Sequence, residues 1–251
     1  MYTSSNLDKA IAMDNLDKGT EEITTHLPVT NEFIVRVLNT EMLTHNVKRF
    51  TVEKPAGYNF TSGQATDVSI NKANLEEELR PFTFTSVNGS EHLEFTIKIY
   101  KGHNGVTEKL EDVNAGDELI VHDVFGTITY KGPGLFIAGG AGITPFISIF
   151  RQLKAEDRLA GNTLLFANRT ADDIILKDEL KTMLGKSYRD VLEISDDPAV
   201  TKGFIDRELL SQYVGLVNEY YYICGPDKFT VIMVENLLSL GVDRPRIIIE
   251  E

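Results

Sequence analysis

The sequence predicts two domains, an antiparallel six-stranded β-barrel followed by an α/β unit with a doubly wound parallel sheet. Three observations predict it. A length of 251 residues suits one large domain or two small ones. Across residues 33–130 the chain runs in short β-branched or aromatic segments of period two, separated by turns and without long helices. After Gly132-Pro133-Gly134, near-continuous apolar strands alternate with amphipathic helices, the pattern of a parallel sheet covered on both faces.

The strand-like segments of the first half are "EFIVRVLN", "VKRFTVEK", "QATDVSIN", "PFTFTSV", "LEFTIKIY" and "DELIVHDV". Turn residues divide them at Pro55-Ala56-Gly57, Ser62-Gly63, Asn88-Gly89 and Ala115-Gly116-Asp117. Short strands without covering helices gain by closing on themselves, because a barrel leaves no open edge. One short helix is expected at residues 107–112. In the second half, "LFIAGG", "NTLLFAN", "DVLEIS", "EYYYICG" and "RIIIEE" read as strands. Helices are expected over "TPFISIFRQLKAE", "DDIILKDELKTML", "DRELLSQY" and "DKFTVIMVENLLSL". The Gly-Pro-Gly hinge sets the domains at residues 32–131 and 132–251, behind a polar, acidic leader at residues 1–31.

Composition removes several classes. Hydrophobic content of 42% supports ordinary cores. No apolar run approaches the roughly 20 residues of a membrane span. The first residues lack the basic start and apolar block of a secretory signal. A single cysteine excludes internal disulfides, cysteine-rich zinc sites and a protein-ligated iron–sulfur cluster, and the five histidines stand at no metal-ligand spacing. A net charge of -13 argues against a nucleic-acid surface. Lys48, Arg49, Lys54, Lys72, Lys98 and Lys101 are the candidates for a local basic patch. A cytoplasmic location is expected.

Two segments carry chemistry. In "LFIAGGAGITPF", Gly140 and Gly142 fill the first glycines of G-x-G-x-x-G, and Pro145 stands where the third belongs. The segment lies at the carboxyl end of a strand, where doubly wound sheets bind ligands. Glycines allow close backbone approach, and the amides of a helix start attract a diphosphate. A plain strand-to-helix turn would use the same residues. In "RPFTFTS", Arg80 could fork onto phosphate oxygens; alternation puts Phe82 and Phe84 on one side and Thr83 and Thr85 on the other, so an aromatic could pack on a flat ring and a threonine hydroxyl could bond to it. An edge strand with a solvated arginine satisfies that pattern too.

In chain order, "TSGQATDVSI", "RPFTFTS", "NGVTEKL", "GGAGITP" and "YYICGPDKF" together resemble the ferredoxin–NADP reductase superfamily, over residues 32–251. "FANRTADDIILKDEL" is similar to its cytochrome and nitrate reductase branch. The resemblance implies a flavin-binding barrel followed by a nicotinamide-nucleotide domain, with FAD and NADH or NADPH as cofactors.

Carried over residue by residue, Arg80 binds the FAD pyrophosphate and Phe82 stacks on the flavin in place of the family's usual tyrosine. Thr83 bonds near flavin N5, and Ile97 and Ile99 offer backbone groups. Gly105, Val106 and Thr107 hold the pyrophosphate at the start of the short helix. Gly140, Gly142 and Thr144 receive the nicotinamide half. Cys224, followed by Gly225 and Pro226, lies near the nicotinamide carbon that gives up hydride and shapes the pocket without acting as a nucleophile. Arg169 would pair with the 2′-phosphate of NADPH, whereas a carboxylate at Asp196 would favour NADH; the balance falls slightly to NADH. The terminus "RIIIEE" departs from the family's closing aromatic and leaves Glu250 or Glu251 either beside the ring or in solvent.

The function implied is an FAD-dependent NAD(P)H oxidoreductase. Hydride passes from nicotinamide to flavin N5, and electrons pass singly to a separate ferredoxin, flavodoxin or haem protein. A non-catalytic flavin- or nucleotide-binding subunit and the reductase component of an oxygenase system are the alternatives.

Overall fold

The computed structural model describes residues 31–250 apart from 103, 104, 127, 217 and 218, so the expected leader lies almost wholly outside the described residues. The first half folds into β1 (Phe33–Thr44), β2 (Val47–Glu53), β3 (Ala65–Ile70), β4 (Arg80–Thr83), β5 (His92–Lys98) and β6 (Glu118–Phe125). They form one antiparallel six-stranded sheet in the order β4-β3-β6-β1-β2-β5. Its two ends meet through a Phe84–Phe95 bridge and a 2.8 Å bond from the Thr85 amide to the Glu94 carbonyl. Period two places Val35, Phe50, Val68, Phe95 and Val121 on the inner face, where they share a core with Phe84. The short helix α1 (Val106–Lys109) begins one residue earlier than expected and runs into a 3-10 turn at Leu110–Asp112, because Val106 and Leu110 both turn into that core.

The second half contains β7 (Gly134–Gly139), α2 (Thr144–Ala155), β8 (Thr163–Asn168), α3 (Lys177–Leu184) and β9 (Tyr188–Leu192). It continues with β10 (Thr201–Lys202), α4 (Arg207–Ser211), β11 (Tyr220–Cys224), α5 (Asp227–Ser239) and β12 (Ile247–Ile249). The strands are parallel, in the order β10-β9-β8-β7-β11-β12. From β7 the chain steps outward through β8 and β9, then returns to the other side of β7 as β11. That reversal is the topological switch point, where the chain leaves two adjacent strands toward opposite sides of the sheet. Phe146, Phe150 and Leu180, from α2 and α3, pack on one face of the sheet, and Leu209, Met233 and Leu237, from α4 and α5, on the other.

Three elements differ from expectation. The two-residue strand β10 is too short to leave a periodic signal. The helix expected over "DDIILKDELKTML" is broken: a 3-10 turn at Ala171–Asp173 is closed by a Thr170–Asp173 capping box, and Leu176 takes a left-handed φ of 51° before α3 starts. Ile174 and Ile175 between them are buried. The hinge glycine Gly134 is already part of the sheet, paired with Tyr220. Among the described residues no helix is long and apolar enough to cross a membrane.

Candidate functional site

At the switch point, the turn after β7 (Gly140–Ile143) meets the turn after β11, Cys224-Gly225-Pro226. The two glycines have different physical duties. A Cβ on Gly142 would lie 2.3 Å from the Cys224 carbonyl oxygen, so only glycine lets the turns touch. Gly140 has a φ of +53° and nothing within 4 Å of a Cβ position, so it presents bare backbone to open space. Thr144 and Pro145 then open α2 with proline in the first turn, where its missing N–H costs nothing.

These turns face the barrel across a cavity of about 750 Å³, within the size of ordinary small-molecule sites. Phe82, Thr83, Ile97 and Thr107 line it from the barrel. Gly140, Gly142, Thr144 and Arg169, with Cys224, Gly225 and Pro226, line it from the second domain. The remaining residues expected at the site lie elsewhere. Arg80 is exposed at the start of β4, its Nη1 donating to the Leu79 carbonyl at 2.6 Å and its Nη2 3.8 Å from Glu78. Ile99 is buried, and its amide already donates to the Asn46 carbonyl. Val106 belongs to the barrel core, with Gly105 just before it as the N-cap of α1. Asp196 is exposed beyond β9 and does not line the cavity, whereas Glu193, the first residue past β9, does.

Sequence reasoning missed several lining residues. Asn168 ends β8; its amide nitrogen and oxygen are both buried without a hydrogen-bond partner. Leaving such groups unpaired costs on the order of 1–3 kcal/mol, and they offer a donor and an acceptor to a polar group in the cleft. Tyr100, 49% exposed, stands at the barrel side with Lys98 Nζ 5.7 Å from its ring centre. His45, on the β1–β2 turn, and Asp173 face each other across the domain junction at 3.8 Å. Burial opposes ionisation of Asp173, but hydrogen bonds from Thr170 and the charges of His45 and Lys98 hold its carboxyl below the usual range. The rule that ligands sit at strand carboxyl ends could have found Asn168 and Glu193.

Cys224 is 5% exposed, and its thiol donates to Glu250 Oε2 at 3.4 Å. Burial, with the Glu250 carboxylate beside it, pushes the thiol far above its ordinary range, the opposite of the setting that activates a thiolate. Glu250 therefore lies in the cleft, while Glu251 is outside the described residues. The cleft fits two flat, phosphate-bearing cofactors. Bare backbone at Gly140 and an unpartnered amide at Asn168 suit a nucleotide, and the half-open Tyr100 and Phe82 rings suit an isoalloxazine or adenine.

Residues 32–133 match the FAD-binding domain family, and residues 136–235 match the oxidoreductase NAD-binding domain family. The chain is 27% identical to the reductase component of a propane 2-monooxygenase from Rhodococcus jostii (strain RHA1), over 96% of this chain and 68% of that protein. It is 27% identical to NADH–cytochrome b5 reductase 1 of Arabidopsis thaliana, over 82% of this chain and 79% of that protein. A crystal structure of a ferredoxin NADP+ reductase from Neisseria gonorrhoeae with bound FAD and NADP superposes with a TM-score of 0.75 at 19% identity, over 86% of this chain and 97% of that one. With both halves matched in order and one cleft shared between them, the chain belongs to the ferredoxin–NADP reductase superfamily and is an FAD-dependent NAD(P)H oxidoreductase that passes electrons on to an acceptor.

Proposed function

We propose that the protein is a cytoplasmic NADH-dependent reductase whose electrons leave singly to a separate haem, ferredoxin or flavodoxin partner. The observation that carries this reading is the convergence of Thr83, Cys224 and the Gly140–Gly142 turn on one cavity between the domains. When bound, FAD supplies a site that accepts hydride and releases electrons one at a time. The chain's own residues do the rest. Thr83 offers its hydroxyl to the flavin edge, and Phe82 and Tyr100 pack against flat rings. Gly140 and the amides opening α2 receive phosphate oxygens. Cys224 and Glu250, joined by the thiol's hydrogen bond to Oε2, shape the nicotinamide pocket. Arg80 is two residues from Phe82 and reaches the pyrophosphate by releasing its contacts to Leu79 and Glu78.

Glu193, not Asp196, is assigned the reading of the adenine ribose. A carboxylate at that strand end accepts from ribose hydroxyls and repels a 2′-phosphate, against which Arg169 is the opposing attraction. NADH is expected to exceed NADPH in kcat/KM by at least about tenfold, roughly 1.4 kcal/mol. Glu193→Gln should narrow that ratio. Equal or higher efficiency with NADPH would remove the assignment, and a protein that stays colourless after FAD addition would remove the whole reading. The similarity across 96% of the chain to a monooxygenase reductase component favours an oxygenase as a second class of acceptor. Co-purification of an oxygenase subunit tests it.

A further inference from the structure

Among the contacts that join the two halves of the cleft is a guanidinium that the cofactor contacts do not involve. Arg151 lies in α2, seven residues after Thr144, so about 10 Å along the helix from the nicotinamide turn. Its Nε and Nη2 fork onto Glu179 of α3, at 2.6 Å to Oε1 and 2.9 Å to Oε2. Its Nη1 crosses to the barrel and donates to the Thr85 carbonyl at 2.8 Å and to Glu94 Oε1 at 2.5 Å. Glu94 in turn holds Thr85 twice, accepting from its hydroxyl at 2.8 Å and from its amide at the carbonyl. Thr85 is two residues beyond Thr83 on the same extended run. One turn earlier on α2, Ser148 Oγ accepts the Gly63 amide of the barrel at 3.0 Å, so the same helix face makes both contacts.

The planar fork is satisfied on each side by geometry that a point charge on a flexible stem cannot reproduce. The group is also well removed from water: side-chain exposure is 20% for Arg151 and 18% for Glu94. Burial opposes ionisation of Glu179, yet the Arg151 hydrogen bonds and charge hold its carboxyl below the ordinary range.

We propose that Arg151 is a positioning residue for hydride transfer, a clamp that fixes the spacing between the Phe82–Thr83 strand and the Gly140–Gly142 turn. The inference rests on the functional reading above. Misplacement of reacting groups by about 1 Å costs on the order of a hundredfold in rate, so a guanidinium that holds the spacing, beside the Ser148–Gly63 contact, has a large lever.

The test uses FAD-loaded full-length protein with Arg151→Gln and Arg151→Lys, and Arg158→Gln as a surface control. Stopped-flow loss of flavin absorbance should show the limiting rate per bound flavin falling about 10- to 100-fold in Arg151→Gln and less in Arg151→Lys. The nucleotide Kd and FAD content should change little. With deuterated NADH, the primary isotope effect should become more temperature dependent in both variants. A second readout needs no turnover: nitroxide labels at Glu91→Cys and Lys186→Cys, one per domain, should give a broader distance distribution when Arg151 is replaced. Arg151→Lys carries the test should Arg151→Gln fail to fold. Parent-like rates, isotope effects and label distances in the folded variants would overturn the clamp. A parent flavin that neither nucleotide reduces would instead overturn the functional reading, with the label distances still deciding whether Arg151 sets the spacing.

Discussion

Two glycines two positions apart face different constraints, and replacing each should fail differently. In Gly142→Ala the methyl group meets backbone, 2.3 Å from the Cys224 carbonyl oxygen and 2.6 Å from the Gly225 nitrogen. Neither can swing aside, so overpacking should destabilise by about 1–3 kcal/mol and lower Tm by several degrees. In Gly140→Ala the methyl has room, and the cost is the left-handed φ, about 1 kcal/mol. On the proposed function, the methyl then projects into the space assigned to the nucleotide. Thermal unfolding should therefore report mainly Gly142→Ala, and the KM for NADH mainly Gly140→Ala. Equal Tm losses would break the distinction.

Among the elements, β11 ties the domain linker to the sheet. Tyr222 is buried in the middle of this strand, with its hydroxyl accepting from the Lys131 and Gly132 amides at 2.9 and 3.0 Å and donating to the Gly132 carbonyl at 2.8 Å. Tyr222→Phe leaves those linker groups unpaired and should cost about 1–3 kcal/mol. Burial also raises the Tyr222 phenol from 10.0 to about 12, and burial raises Tyr58 in the barrel by the same amount. A raised acid binds its proton more tightly folded than unfolded. Its contribution is therefore whole below pH 10 and is lost as pH climbs from 10.0 to about 12. Each tyrosine accounts for up to about 2–3 kcal/mol of that loss. Urea unfolding across this range should show a steep alkaline fall, shallower in Tyr222→Phe; an unchanged slope would contradict the linkage.

At the scale of the whole molecule, charge governs how an acceptor arrives. The net charge is -13, and the barrel residues expected to form a basic patch are mostly engaged. Lys48 donates to the Glu111 and Val113 carbonyls, Arg49 pairs with Glu41, Lys54 donates to Asn88, and Lys72 and Lys101 pair with Asp117 and Glu111. Of the six, Lys98 is the one that lines the cleft. An anionic acceptor such as ferricyanide should thus be reduced faster as salt is added, and a cationic haem protein more slowly, because screening shortens the reach of the field to about 10 Å at 0.1 M. Initial rates across a salt series decide it. The opposite pair of slopes would locate acceptor docking at a local positive surface.

Local periodicity by itself determined the two domains, the six barrel strands, the alternation that follows and the glycine turn opening α2, because these are properties of residues a few positions apart. The motif order named the superfamily for the same reason: each motif is a contiguous run. What only the tertiary structure decided are the contacts between segments distant in sequence. Loops beyond strand ends have no period, so nothing local distinguishes Asp196, which is exposed and does not line the cleft, from Glu193, which does. Arg151 reads in sequence as one more polar residue of an amphipathic helix. Its role emerges where the closing barrel brings Thr85 and Glu94 against α2, an apposition set by two folded surfaces and by no stretch of chain.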